Sequence, residues 1–147
     1  MMQKKILVVD DDPDVRLSLY IRLKASDYGV CFAVDGVSSI HEARKQMPDL
    51  ILLDLGLPAG DGYTVLERLQ SNCSLSQIPV IVLTGRDRVA SKDRSFKGGA
   101  RAFLQKPVSN AQLLSVIRQV LEGKGHRSED QVYELMGRKA MTDSSLI

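Results

Sequence analysis

The stretch "ILLDLGLPAGDG", residues 51–62, decides the fold. It starts as a strand meant to stay dry. Ile51, Leu52 and Leu53 are aliphatic, and Asp54 follows at once. A carboxylate at the edge of a core costs several kcal/mol unless something compensates it. Asp54 therefore either turns to solvent or stands in a site built to hold it. The aliphatic run is continuous rather than alternating, which is the pattern of a strand covered on both faces.

Working outward, the same pattern recurs. "ILVV" (6–9), "VCFAV" (30–34), "LILLD" (50–54), "VIVLT" (80–84) and "AFLQ" (102–105) read as five short strands. Helical spacing separates them. Asp12, Pro13 and Asp14 open a first helix with Val15, Leu19 and Leu23 on one face, proline and acids suiting its N-terminal turn. A weaker helix after Asp35-Gly36 carries Val37, Ile40 and Met47 inward and ends at Pro48. Tyr63–Gln70 places Val65, Leu66 and Leu69 inward. A poorly apolar helix spans 87–97 and stops at Gly98-Gly99. Ser109 and Gln112 have capping-box spacing before a helix carrying Leu113, Val116, Ile117, Val120 and Leu121. Five β–α units in sequence imply a parallel sheet with right-handed crossovers, hence an open doubly wound α/β fold.

Composition bounds the function. The 147 residues suit one domain plus a short appendage; 44% are hydrophobic and 26% charged. A net charge of +2 makes no case for nucleic acid or a membrane surface. No run approaches the ~20 apolar residues of a spanning helix, and "MMQKK" leads straight into a strand rather than a signal peptide. Cys31 and Cys73 lie far apart, in or beside apolar runs, and read as buried free thiols of a reducing cytoplasm.

The polar residues fall at strand ends. Strand 1 ends on Asp10 and Asp11, strand 3 on Asp54, strand 4 on Thr84, and strand 5 just before Lys106-Pro107. Ligands of open α/β sheets bind outside the carboxyl ends of the strands. Taken singly, each residue has an ordinary structural role: a cap, a turn or a surface lysine. Their joint occurrence at successive strand ends does not. Three clustered carboxylates repel one another and raise one another's pKa. A hard divalent cation such as Mg²⁺, which takes oxygen ligands, removes that conflict. Lys106 adds a positive charge that a metal site alone does not need, and Thr84 adds a rotatable donor. Carboxylate, cation and ammonium together suit phosphoryl transfer onto an aspartate.

With these residues in place, the chain resembles a response regulator receiver domain of the CheY-like superfamily over residues 4 to about 122. The resemblance rests on "ILVVDDDPDVR", "DLILLDLGLPAGDG", "VIVLTG" and "GARAFLQKP". It implies a flavodoxin-like (βα)5 sheet in strand order 2-1-3-4-5. It implies that Asp54 is the phosphoacceptor, and that Asp10, Asp11, Asp54 and the Gly56 backbone carbonyl hold Mg²⁺ (or Mn²⁺). Thr84 and Lys106 would bind the phosphoryl group, with Phe103 as the aromatic switch that rotates from exposed to buried. A sensor histidine kinase or phosphotransfer protein would be the donor. The face of helix 4, strand 5 and helix 5 would carry the output. Asp12 stays outside the acidic pair, as a helix cap. The alternative is a degenerate receiver serving only as an interaction module, against which stands the filled set of site positions.

Three positions depart from the common pattern. Position 56 is Gly rather than a larger residue, position 86 is Arg, and position 103 is Phe rather than Tyr. Gly56 and Arg86 are candidates for tuning dephosphorylation. The stretch 86–106 holds seven basic residues against two acids, which reads as a solvated face or as a docking surface for an acidic partner or a second receiver. Residues 123–147 read as a linker, "GKGHRSEDQ", and then a short amphipathic helix with Val132, Leu135 and Met136. That helix packs on the receiver, pairs between chains, or starts an output region. It faintly resembles the first helix of a LuxR-type helix-turn-helix, but the four basic and four acidic residues of 123–147 give this tail no independent case for DNA. A haloacid-dehalogenase-type phosphatase would need a second Asp at position 56. A flavin binder would need a Ser/Thr/Gly-rich phosphate loop where "DDDPD" stands. The chain is expected to act as a switch, not an enzyme.

Overall fold

A computed structural model describes residues 3–57, 62–85 and 88–123. Five strands form one parallel sheet: β1 (Lys5–Val9), β2 (Gly29–Ala33), β3 (Leu50–Leu53), β4 (Val80–Thr84) and β5 (Ala102–Gln105). The order is β2-β1-β3-β4-β5, as the resemblance implies. Helices α1 (Pro13–Ala25), α2 (Gly36–Gln46), α3 (Gly62–Gln70), α4 (Arg88–Lys97) and α5 (Asn110–Leu121) connect or follow the strands. With right-handed crossovers, the reversal of strand order at β1 puts α1 on one face and α2, α3 and α4 on the other. A short 3-10 turn, Leu75–Gln77, leads into β4; nothing in the periodicity of the sequence marks it.

The core is the two-sided burial that the aliphatic runs announce. Every residue of β3 and β4 is buried, and so are Ile6 to Val9 of β1. Each such Leu, Ile or Val contributes about 1.5–3 kcal/mol relative to exposure. Leu19 and Leu23 cover the sheet from α1, and Val65, Leu66 and Leu69 from α3. Leu113, Val116, Ile117 and Val120 line the inner face of α5, whose Ser109 hydroxyl accepts the Gln112 N–H at 3.1 Å.

α2 departs from the expected face. Val37 is 73% exposed and Met47, in left-handed backbone just past the helix, is 53% exposed; Ser39 and Ala43 are buried instead. Small residues let α2 lie close to the sheet; Ile40 packs against the core as expected, while Val37 turns to the solvent side. Cys73 is exposed and Cys31 only half-buried, against the reading of two buried thiols. Burial pushes the Cys31 thiol up, which keeps it protonated and unreactive. The linker and helix read in 124–147 lie outside the described residues.

Candidate functional site

The site forms because backbone pairing continues one residue past the strand ends. The Asp10 N–H donates to the Ala33 carbonyl (3.1 Å) and the Asp54 N–H to the Val9 carbonyl (2.9 Å). The Lys106 N–H donates to the Thr84 carbonyl (2.9 Å). Val9 is in register with both Ala33 and Leu53, so Asp10 and Asp54 emerge side by side where the strand order reverses. The sheet itself thus fixes three of the functional backbones.

The side chains converge there. Thr84, wholly buried, donates from Oγ1 to Asp54 Oδ1 at 2.9 Å. Lys106 Nζ lies 2.6 Å from Asp10 Oδ2 and 3.5 Å from Asp54 Oδ2. Asp10, Asp11 and Asp54 each offer an oxygen within 4.8 Å of the others. The Gly56 N–H donates to Asp54 Oδ1 at 3.2 Å, which curls the following loop over the carboxylate. Asp11 and Gly56 are exposed, so the cluster is open to solvent on that side.

Asp10 is 2% exposed, and burial pushes its carboxyl above the ordinary carboxylate value. The hydrogen bond from Lys106, the Asp12 N–H (2.9 Å to Oδ1) and the ammonium charge oppose that shift, and the Asp54 charge adds slightly to it. Three carboxylates against one ammonium leave the site electron-rich. All the donors are hard oxygens, and one flank is open to water. Mg²⁺ fits such a set, because it favours carboxylates and retains part of its hydration shell.

Asp12 is the N-cap of α1, its side chain accepting the Asp14 N–H, as the sequence indicates. Two supporting residues escaped sequence reasoning. Arg16 donates from Nη1 to the Asp10 carbonyl at 2.9 Å and pins the acidic turn from α1. Its signal was present as the last residue of "DDDPDVR". Gly62 is the second. A Cβ there would lie 2.5 Å from both the Asp54 carbonyl oxygen and the Leu55 Cα, so the start of α3 rests directly on the backbone of Asp54. Its signal was the Asp-Gly ending the opening stretch.

Phe103 is 3% exposed and in register with Val82 on β4. Arg86 lies outside the described residues. The basic stretch is not one continuous cationic surface. Arg94 stacks 3.8 Å over the Tyr63 ring, Lys97 pairs with Asp93 at 3.0 Å, and Lys106 belongs to the acidic site.

A family model described as the response regulator receiver domain matches residues 6–118. The chain belongs to that family. It is similar to RpaA of Synechocystis, a DNA-binding dual master transcriptional regulator: 38% identical over 117 residues, covering 80% of this chain and 48% of RpaA. It is similar to the response regulator PleD of Caulobacter vibrioides, 35% identical over 139 residues that cover 94% of this chain and 30% of PleD. The chain thus spans about half or less of these relatives' lengths. Among solved structures it resembles the receiver domain of the sensor histidine kinase PA1611 from Pseudomonas aeruginosa, with a TM-score of 0.76 and 26% identity. That match covers 82% of this chain and 99% of the other, which holds a magnesium ion coordinated in its active-site cleft. The fold and family place this chain among the receiver domains of two-component signalling, which are regulatory domains. Nothing favours the degenerate reading. Among the described residues, no helix is long and apolar enough to cross a membrane.

Proposed function

We propose that Asp54 is the phosphoacceptor of a receiver spanning residues 1–122, and that a phosphohistidine of a sensor kinase or phosphotransfer protein is the donor. The observation that carries this is the pair of groups on the Asp54 carboxylate: the Thr84 hydroxyl on Oδ1 and the Lys106 ammonium facing Oδ2. An Asp54 oxygen attacks phosphorus as the N–P bond to imidazole breaks, and the imidazole departs with the electron pair and takes up a proton. Asp10, Asp11, Asp54 and the Gly56 carbonyl would hold Mg²⁺ or Mn²⁺, which offsets the charge of the phosphoryl oxygens when bound. Lys106 then pairs with a phosphoryl oxygen, and Thr84 exchanges its bond to Oδ1 for one to the new group.

The readout is packing. Thr84 donates to Asp54 Oδ1 and Phe103 is buried, and we read this as the inward arrangement of both residues. Phosphorylation favours that arrangement over one with Phe103 turned out, and so remodels the α4–β5–α5 face. This is a local charge change that biases a two-state element. An acidic partner or a second receiver docking on that face is the binding expectation. It uses fewer cations than the sequence count suggests, since Arg94, Lys97 and Lys106 are engaged. The chain works in the cytoplasm, where its donor is found. Gly56 and Arg86 set the lifetime of the acyl phosphate.

Incubation with acetyl phosphate and Mg²⁺, followed by intact mass, tests the reading. The wild type gains one phosphoryl group, Asp54→Asn gains none, and chelation of the metal abolishes the gain. An equal gain in Asp54→Asn would move the site. Failure of the wild type to take either phosphoryl or beryllofluoride would overturn the proposal.

A further inference from the structure

Helix α1 is apolar on two opposite faces. Val15, Leu19 and Leu23 face the sheet. Leu17 and Ile21, one turn apart on the far side, are each 59% exposed, and Tyr20 beside them is 40% exposed. A surface helix of a soluble domain ordinarily turns charge outward, so an outer apolar strip of this kind marks a contact surface. One charge bounds it at each end. Asp14 precedes Leu17 by three residues, and Lys24 follows Ile21 by three. At this 3-4-3 spacing Asp14, Leu17, Ile21 and Lys24 form a single line along the outer face. Asp14 and Lys24 are exposed, and among the described residues neither makes an ion pair. Arg22 lies off the line: it donates from Nη1 to the Val108 carbonyl at 3.3 Å, beside the start of α5.

We propose that this outer face of α1 pairs with the same face of a second copy of the chain, the two helices antiparallel about a twofold axis. The line of residues is its own complement. A twofold contact maps each residue onto one equally far from the axis on the other copy. With the axis at the level of residue 19, Leu17 and Ile21 lie two residues to either side, and Asp14 and Lys24 five to either side. Leu17 therefore meets Ile21 of the partner subunit, and Asp14 meets Lys24 of the partner subunit, each contact occurring twice. The 3-4 spacing is that of helices packed at a shallow angle, the side chains of one seated between those of the other. Tyr20, one residue from the axis, closes one flank of the seam together with its copy. Its ring packs against that of Phe32 on the edge strand β2, 5.9 Å between centroids. The antiparallel direction also sets the positive end of each helix dipole beside the negative end of the other. A parallel pair would oppose like charges at both ends.

A partner of unrelated sequence would need an apolar ridge of the same length with opposite charges at its ends; the chain itself already supplies one. The patch is small. Helix α1 has 13 residues, is about 20 Å long, and offers three apolar side chains to the seam. Such a contact falls below the ~1,200 Å² of standard interfaces, so the pair is weak, with a dissociation constant on the order of 100 μM. The seam uses no residue of α4, β5 or α5, so pairing leaves that face free on both copies. This inference rests on the fold alone and not on Asp54 accepting a phosphoryl group, so the two can fail separately.

Sedimentation equilibrium of the 147-residue chain at low ionic strength tests this. Between about 5 and about 500 μM the weight-average mass should climb from that of one chain toward that of two, equally with and without beryllofluoride. Leu17→Asp with Ile21→Asp should hold the mass at one chain throughout; both sites are exposed, so the variant stays folded, which its melting curve checks. Asp14→Lys and Lys24→Glu, each alone, set like charges opposite one another at both ends and should weaken pairing by about tenfold. Mixing these two variants should restore it, because in the mixed pair every charge meets its opposite. A wild-type mass fixed at one chain up to about 500 μM would overturn the proposal. So would charge variants that pair as well as the wild type or fail to rescue each other. An association that persists in Leu17→Asp with Ile21→Asp, or that requires beryllofluoride, would also overturn it and put the contact on another face.

Discussion

Replacing Gly62 with alanine sets two effects of opposite sign against each other. Gly62 opens α3 and does not occupy left-handed backbone, so alanine fits its conformation. By helix propensity alone the change should stabilise by up to about 1 kcal/mol. Sterics oppose it. The new Cβ would sit 2.5 Å from the Asp54 carbonyl oxygen and 2.5 Å from the Leu55 Cα, where ordinary contact begins at 3.4 Å. Both neighbours are backbone, and Leu55 is fully buried, so no side chain can swing aside. The start of α3 and the loop after β3 must part by close to 1 Å. Overpacking of this kind costs about 1–3 kcal/mol, here at the upper end. The Gly62 N–H bond to the Leu55 carbonyl (3.1 Å) is stretched as well, for about another 1 kcal/mol. Sterics win, and the expected net loss is about 2–3 kcal/mol.

Urea denaturation measures it directly, and a thermal scan should show a fall of about 10 °C. Gly85→Ala is the matched control. It also lies beside the site, but nothing stands within 4 Å of its added Cβ, so its stability should stay within about 0.5 kcal/mol of wild type. The consequence for function is separable from unfolding. Displacing the Asp54 backbone by about 1 Å should slow phosphorylation by acetyl phosphate roughly 10- to 100-fold at a temperature where the variant is folded. A Gly62→Ala protein as stable as wild type, with undiminished phosphorylation, would refute the claim that α3 positions the phosphoacceptor through this contact.

Three further outcomes follow from the geometry. Thr84→Val keeps the buried shape but removes the donor to Asp54 Oδ1; it should cost about 1–2 kcal/mol in chemical denaturation and leave phosphoryl uptake intact while abolishing the phosphorylation-dependent change in Phe103 ring signals by NMR. Gly56→Val places a Cβ 3.7 Å from Asp54 Oδ2; by excluding water from the acyl phosphate it should lengthen its half-life several-fold, and a shortened half-life would contradict this. Asp35 caps α2 in a reciprocal box with Ser38, whose N–H donates at 2.8 Å, and these bonds hold its carboxyl below the ordinary value. A depressed carboxylate stabilises the fold above its unfolded pKa, and that contribution is lost as pH falls through the folded pKa; the stability difference between wild type and Asp35→Ala should therefore be full at neutral pH and shrink toward strongly acidic pH, and a difference that grows on acidification would reverse the assignment.

The sequence made the sheet legible because buried parallel strands are continuous aliphatic runs, and "ILLD" could hardly be anything else. It made the site legible because a parallel sheet delivers every strand end to one edge, so Asp10, Asp54, Thr84 and Lys106 could be placed together without knowing any distance. Where burial depends on helix rotation, sequence reasoning failed. In α2 the large side chains Val37 and Met47 suggested an inner face. Yet the helix seats on Ser39 and Ala43, because close approach to the sheet favours small residues over large ones. In α1 the inner strip was evident, but the outer one of Leu17, Tyr20 and Ile21 was hidden by it, since two apolar faces cancel in any periodicity count. Charge counting failed in the same way. Seven cations between 86 and 106 look like one surface until Arg94 is found stacked on Tyr63 and Lys106 turned to Asp10. Gly62 shows the deepest limit. Its role lies in an approach of two backbones, which no residue type can announce except by having no side chain to obstruct it. The same absence at Gly56 has the opposite meaning. There a Cβ would meet only ordinary contact with Asp54, so the glycine leaves the carboxylate open rather than making room for the fold.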